Sequence, residues 1–127
     1  MRLLLDTHTV LWMFRTPEKI TQIASALLRD SANSLYVSVA SAWEIAIKFS
    51  LAKLDYEGGM ERFLSTINSS DIELLPINPD YLTAVQKLPF YHRDPFDRLL
   101  VATAQTENIT LVSADENIRK YEVQVVW

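Results

Sequence analysis

Short apolar runs recur along the chain, and turn-forming or charged residues separate them. Leu3-Leu4-Leu5 stops at Asp6. Leu35-Tyr36-Val37-Ser38-Val39 follows, Ile72-Glu73-Leu74-Leu75 is closed by Pro76, and Ile109-Thr110-Leu111-Val112 and Val123-Gln124-Val125-Val126 complete the set. Brief runs of this kind read as strands buried on both faces, the pattern of a parallel sheet. The intervening segments read as helices. Thr16-Pro17 predicts a cap and first-turn proline opening a helix to about Arg29. Ser41 to about Leu54 predicts a second helix, and Gly58-Gly59 breaks the chain before a third from Met60 to about Asn68. Asn78-Pro79 opens a short one, and Asp94-Pro95 opens another to about Thr106. Thr7 to Leu11 is expected to be a turn. Strands alternating with helices predict an α/β fold with a mainly parallel sheet, in which ligands bind beyond the carboxyl ends of the strands.

Length adds that 127 residues suit one domain, with no internal repeat or linker between residues 1 and 127. The hydrophobic fraction of 49% is too high for a disordered chain. No apolar run approaches the ~20 residues of a membrane span. The opening Met1-Arg2-Leu3-Leu4-Leu5-Asp6 meets a charge too soon to be a signal peptide. With no Cys there is no disulfide, thiolate nucleophile or Cys-based zinc site, which fits a cytoplasmic location. Two His make a His-rich zinc site a poor expectation, and two Gly leave no phosphate-cradling loop.

Charge redirects attention to the acids. The net charge is −4, with no excess of basic residues to mark a nucleic-acid binder. Four acids nevertheless fall at strand ends or near helix starts. Asp6 follows the first strand and also reads as a helix cap. Glu44 sits in Ser41-x-x-Glu44, a capping-box spacing, with Lys48 at i+4 available for an ion pair. Asp97 lies in the first turn of a helix that is apolar nearly all round, and so near the positive end of a buried dipole. Asp115 follows the fourth strand and also reads as a cap for residues 116–119. Each has a purely structural explanation, but the fold would bring all four to one sheet edge. Clustered carboxylates repel one another unless a cation sits among them, and hard oxygen donors suit Mg²⁺ or Mn²⁺. Removing four negative charges from a net of −4 leaves a neutral remainder, so a phosphate backbone is no longer repelled. Lys48, Arg93 and Arg98 read either as surface charges or as phosphate-positioning groups. His92 reads as a surface residue without a visible partner before a helper in proton transfer. Trp12, Phe14 and Trp43 read as core or interface before base stacking.

The segments Leu4-Leu5-Asp6-Thr7-His8, Ser38-x-x-Ser41-x-x-Glu44-Ile45-x-x-Lys48, Asp94-Pro95-Phe96-Asp97-Arg98-Leu99-Leu100 and Leu111-Val112-Ser113-Ala114-Asp115 resemble the PIN-domain ribonucleases. Among these, the VapC-type toxins of bacterial toxin–antitoxin pairs are the nearest in pattern, and the resemblance spans essentially the whole chain in order. It implies a single PIN domain over residues 1–127, with a five-stranded parallel sheet flanked by helices on both faces. It also implies Mg²⁺- or Mn²⁺-dependent cleavage of single-stranded or loop RNA, a homodimer, and a cognate antitoxin whose C-terminal segment covers the site. The family's four acids fall on Asp6, Glu44, Asp97 and Asp115. Its polar helpers fall on Thr7 and Ser113, while His8 stands where many relatives carry Asn or Ser. Asp94 is an extra acid, a cap first and a metal-site helper second. Other functions fit less well. A phospho-accepting receiver domain needs an acidic pair after the first strand and a Lys after the last. A haloacid-dehalogenase-type phosphatase needs an Asp where His8 stands. A non-catalytic PIN scaffold should have lost an acid.

Overall fold

The computed structural model describes residues 1–127. Five parallel strands form one sheet: β1 (Arg2–Leu5), β2 (Ser34–Ser38), β3 (Ile72–Leu75), β4 (Thr110–Val112) and β5 (Val125–Val126). Their spatial order is β3-β2-β1-β4-β5, so β1 is central, with Leu4 in register with Tyr36 on one side and Leu111 on the other. The apolar run of β1 follows from this position. Leu3 and Leu5 enter the core on one face of the sheet, Leu4 enters the core on the other, and none of the three is exposed to solvent. A strand with two buried faces cannot alternate apolar with polar.

Helices cover both faces, as the resemblance implies. α1 (Thr7–Arg15), α2 (Gln22–Arg29), α3 (Val39–Ser50) and α4 (Gly59–Ser69) pack Val10, Leu28, Ile45 and Phe63 against Leu3 and Leu5. α6 (Pro95–Glu107) packs Leu100, Val101 and Ala104 against Leu4 and Leu111, with α5 (Pro79–Gln86) alongside. No helix is long and apolar enough to cross a membrane.

Three boundaries differ from expectation. Residues 7–15 form a helix directly after β1, where a turn was expected. The β-branched Thr7, Thr9 and Val10 weaken the local helical signal. The Asp6 cap and a bond from Thr9 Oγ1 to the carbonyl of Val112 (3.0 Å) override it. Pro17 opens only a three-residue 3₁₀ turn, and Thr16 makes no side-chain cap; the cap of α2 is Thr21, which accepts from the amide of Ala24 at 3.1 Å. Finally, α3 begins at Val39 and is capped by Ser38, not by Ser41. Ser41 therefore lies within the first turn of the helix and not at its cap, and no capping box forms. Its Oγ is buried without a hydrogen-bond partner.

Candidate active site

The carboxyl ends of the strands carry the acids, and local folding rules place each one. Asp6 ends β1 and caps α1: its Oδ1 accepts from the amide of Thr9 at 2.8 Å. Its Oδ2 accepts from Ser113 Oγ at 2.5 Å, across the sheet on the loop after β4. The same Ser113 oxygen accepts from the amide of Asp115 at 3.0 Å, so one hydroxyl ties Asp6 to the Asp115 loop. Asp115 in turn accepts from the amide of Asn117 at 2.8 Å, a short turn leading to a 3₁₀ segment at 118–120. With 5% of its surface exposed, Asp6 is the most buried acid of the group. It tolerates burial because both of its oxygens are hydrogen-bonded.

Glu44 lies in the middle of α3, because that helix starts at Val39. It faces Thr7 at the start of α1, whose Oγ1 donates to Oε1 at 2.6 Å, and Lys48 pairs with Oε2 at 3.4 Å. The i+4 ion pair read from the sequence therefore forms, whereas the reach back to a cap at Ser41 does not. Asp94 caps α6, accepting from the amides of Phe96 and Asp97 at 2.9 and 3.0 Å.

Asp97 is where the cluster is felt. Its carboxyl is pushed up from 3.8 to about 8, first by burial and then by the charges of Asp94, Asp115, Asp6 and Glu44. The dipole of α6 acts the other way, but such an end effect is worth only ~0.3–1 kcal/mol. Burial and four like charges outweigh it. All five acids thus act on one place in the structure. No three of the chain's acid or imidazole groups converge into a ready-made metal cage. Every donor in the cluster is an oxygen, a set that suits a hard divalent ion.

Two residues depart from the sequence reading. Arg98, expected near the surface as a phosphate-positioning group, is buried at 5% exposure. Its guanidinium donates to the carbonyls of Pro89 (2.7 Å) and Leu88 (3.3 Å) and to the Tyr121 hydroxyl (3.1 Å), and it lies over the Phe90 ring. Both terminal nitrogens are engaged and the side chain is buried, so Arg98 reads as a structural anchor and not as a phosphate-positioning group. His92, expected to lack a partner, lies between Tyr121 (Nδ1 to Oη, 2.8 Å) and Asp97 (Nε2 to Oδ2, 3.3 Å). No spacing in the sequence links Tyr121 to His92. The only hint was a histidine five residues before an acid on a buried helix. Arg93 is exposed and makes no ion pair, so it stays available to a ligand. His8 is exposed and stacks on Trp12, which packs on Trp127. Trp43, 60% exposed, sits edge-on to Phe96 beside the acids.

A family profile for the PIN domain matches residues 3–124. The chain belongs to the PIN-domain family. Among curated proteins, this PIN domain is 26% identical over 119 residues to Ribonuclease VapC22 of Mycobacterium tuberculosis, covering 93% of this chain and 90% of that one. Among solved structures it is similar in fold to a chain of VapBC2 from Rickettsia felis bound to a promoter DNA fragment. The TM-score is 0.73 at 14% identity, over 99% of this chain and 98% of that one. A chain of VapBC-1 from nontypeable Haemophilus influenzae matches with a TM-score of 0.70 at 18% identity, over 99% and 97%. The five-stranded parallel sheet with helices on both faces is therefore the PIN fold, as the motif resemblance implied.

Proposed function

We propose that this PIN domain is an endoribonuclease that hydrolyses single-stranded or loop RNA with the help of a divalent cation, and that it acts as the toxin of a toxin–antitoxin pair. The observation that carries the reading is the effect on Asp97 of Asp6, Glu44, Asp94 and Asp115, which raises its carboxyl to about 8. A fold does not keep repelling carboxylates together for stability, and perturbed groups of this kind cluster at functional sites. Family membership and the similarity to a ribonuclease named VapC22 support the same chemistry.

Asp6, Glu44, Asp97 and Asp115 would hold Mg²⁺ or Mn²⁺, with Asp94 as an auxiliary acid. Such an ion supplies charge stabilisation at the phosphodiester and lowers the pKa of water. The chain's own residues orient the acids and engage the substrate. Thr7 and Ser113 hold Glu44 and Asp6 by their hydroxyls. Arg93, exposed and without an ion pair, would meet a backbone phosphate, and Lys48 would do so on release from Glu44.

The partner is a cognate antitoxin, a reading supported by the fold shared with chains of VapBC complexes. A guanidinium or ammonium from that partner, inserted among the acids, would neutralise them in place of a metal. The active form is a homodimer, a reading supported by the exposed apolar side chains of Trp43, Leu82 and Phe90. Sedimentation showing only monomer at micromolar concentration would count against the dimer.

The decisive experiment incubates the purified protein with total RNA, with and without Mg²⁺ or Mn²⁺, and maps new 5′ ends. Discrete, metal-dependent sites that disappear in Asp6→Asn and Glu44→Gln are expected. Cleavage that survives in either variant would sink the site assignment, and no cleavage with any divalent ion would sink the reading as a nuclease.

A further inference from the structure

The hydrogen bonds that lead to Asp97 run in one direction. A guanidinium only donates, so in the 3.1 Å contact between Arg98 and Tyr121 the phenolic oxygen must accept. The Tyr121 hydroxyl proton then has one partner left, His92 Nδ1 at 2.8 Å. A neutral imidazole that accepts at Nδ1 carries its proton on Nε2, and Nε2 faces Asp97 Oδ2 at 3.3 Å. Each donor in the series Arg98, Tyr121, His92, Asp97 thus meets an acceptor. The opposite tautomer would strand the hydroxyl proton of Tyr121, a side chain with 4% exposure.

The series also ties the Asp97 carboxyl to fixed points of the backbone. Arg98 is fastened to the 88–89 backbone, and Tyr121 follows the 3₁₀ turn after β4. His92 rests edge-on against the Tyr121 ring, with centroids 5.5 Å apart. A carboxylate turns easily about its last torsion, so an Asp held only at its backbone does not present a fixed oxygen. Here Oδ2 is claimed by His92, and no protein donor reaches Oδ1.

We propose that His92 is a positioning residue for Asp97, held as the Nε2–H tautomer by Tyr121 and Arg98, so that Oδ1 is the oxygen presented to cation and substrate. This rests on the reading of Asp97 as part of the metal-dependent site. Partners that orient metal ligands in this way are worth ~10–100-fold in metal affinity or activity.

Two substitutions separate positioning from mere structure. In His92→Asn the amide sits near the Nδ1 position and keeps the contact with Tyr121 but cannot reach Asp97. In His92→Gln the amide reaches the Nε2 position and can donate to Asp97. The test measures Mn²⁺ affinity by calorimetry, kcat and KM on RNA, and thermal melting for both variants and for Tyr121→Phe. His92→Asn should lose ~10–100-fold in Mn²⁺ affinity and kcat with KM nearly unchanged, and His92→Gln should recover most of that loss. Tyr121→Phe should fall with His92→Asn; should it fail to fold, the Asn and Gln pair decides alone. Long-range ¹H–¹⁵N correlation on the metal-free protein should report His92 protonated on Nε2. Equal Mn²⁺ affinity and kcat in the Asn and Gln variants, or a proton on Nδ1, would overturn the assignment. A wild-type protein that neither takes up Mn²⁺ nor cleaves RNA would instead overturn the nuclease reading on which it rests.

Discussion

Replacing Asp97 by Asn should stabilise the metal-free protein at and above neutral pH while abolishing its activity. In the folded chain the Asp97 carboxyl titrates near 8, and in the unfolded chain near 3.8. Between those values the folded state holds a proton that the unfolded state has lost. Stability contributed by this group is therefore fully present below about pH 4, declines as pH rises, and is gone above pH 8. One pH unit corresponds to about 1.4 kcal/mol, so the window sets a ceiling of roughly 6 kcal/mol. Solvent reaches the side chain, which is 19% exposed, and His92 faces it as a compensating donor. Both reduce the effect, and roughly 2–3 kcal/mol is expected at pH 8 after that discount. Asn keeps the shape and cannot ionise, so this decline should disappear. For a domain of this size the difference is on the order of 5–10 °C in Tm. The assay is thermal melting of wild type and Asp97→Asn in a chelator from pH 5 to 9. The two curves should lie closest at the acidic end and diverge towards pH 8, with the variant above. Parallel curves, or a variant less stable at pH 8, would refute the argument that like charges and burial dominate this site.

Further outcomes follow from the same structure. Metal uptake near pH 7 should release protons, because Asp97 is still largely protonated there and must ionise to bind; calorimetry in two buffers of different ionisation heat checks this, and affinity should climb until about pH 8. Arg98→Met should destabilise by ~2–4 kcal/mol, because the Pro89 and Leu88 carbonyls and the Tyr121 hydroxyl lose their donor; a denaturant melt within 1 kcal/mol of wild type would contradict the buried anchor. Ser41→Ala should be neutral or stabilising by up to ~1 kcal/mol, because the hydroxyl removed is buried and unpartnered. A loss exceeding that amount in the same melt would reveal a partner for Ser41.

The residues that end strands were legible, and those whose role depends on distant partners were not. Leu3-Leu4-Leu5-Asp6 announces a two-sided buried strand and a capping acid because both signals are local in the chain. Asp94 before Pro95 is legible for the same reason. Arg98 reads like its exposed neighbour Arg93, because nothing local says that one points into a nest of carbonyls and the other into water. His92 depends on Tyr121, whose position follows from the route of the chain after β4. The capping box at Ser41 failed through competition. Ser38 has the same chemistry three residues earlier and stands where β2 ends, so the helix starts there. The helix at 7–15 was hidden because its stability comes from packing under the sheet edge and not from its own residues.

The order of strands in the sheet also bears on when the site comes into existence. β1 is made first and lies in the middle, and it waits for β2 on one side and for β4, more than a hundred residues later, on the other. Asp6 and Glu44 leave the ribosome early; Asp97, Ser113 and Asp115 come in the last quarter of the chain. The hydroxyl that joins the two halves, Ser113 to Asp6, spans 107 residues of sequence. A nascent or prematurely terminated chain therefore carries half of the acids with no counterpart. Because such long-range pairing forms late and as a unit, the acids are not assembled until β4 and the loop after it have been made.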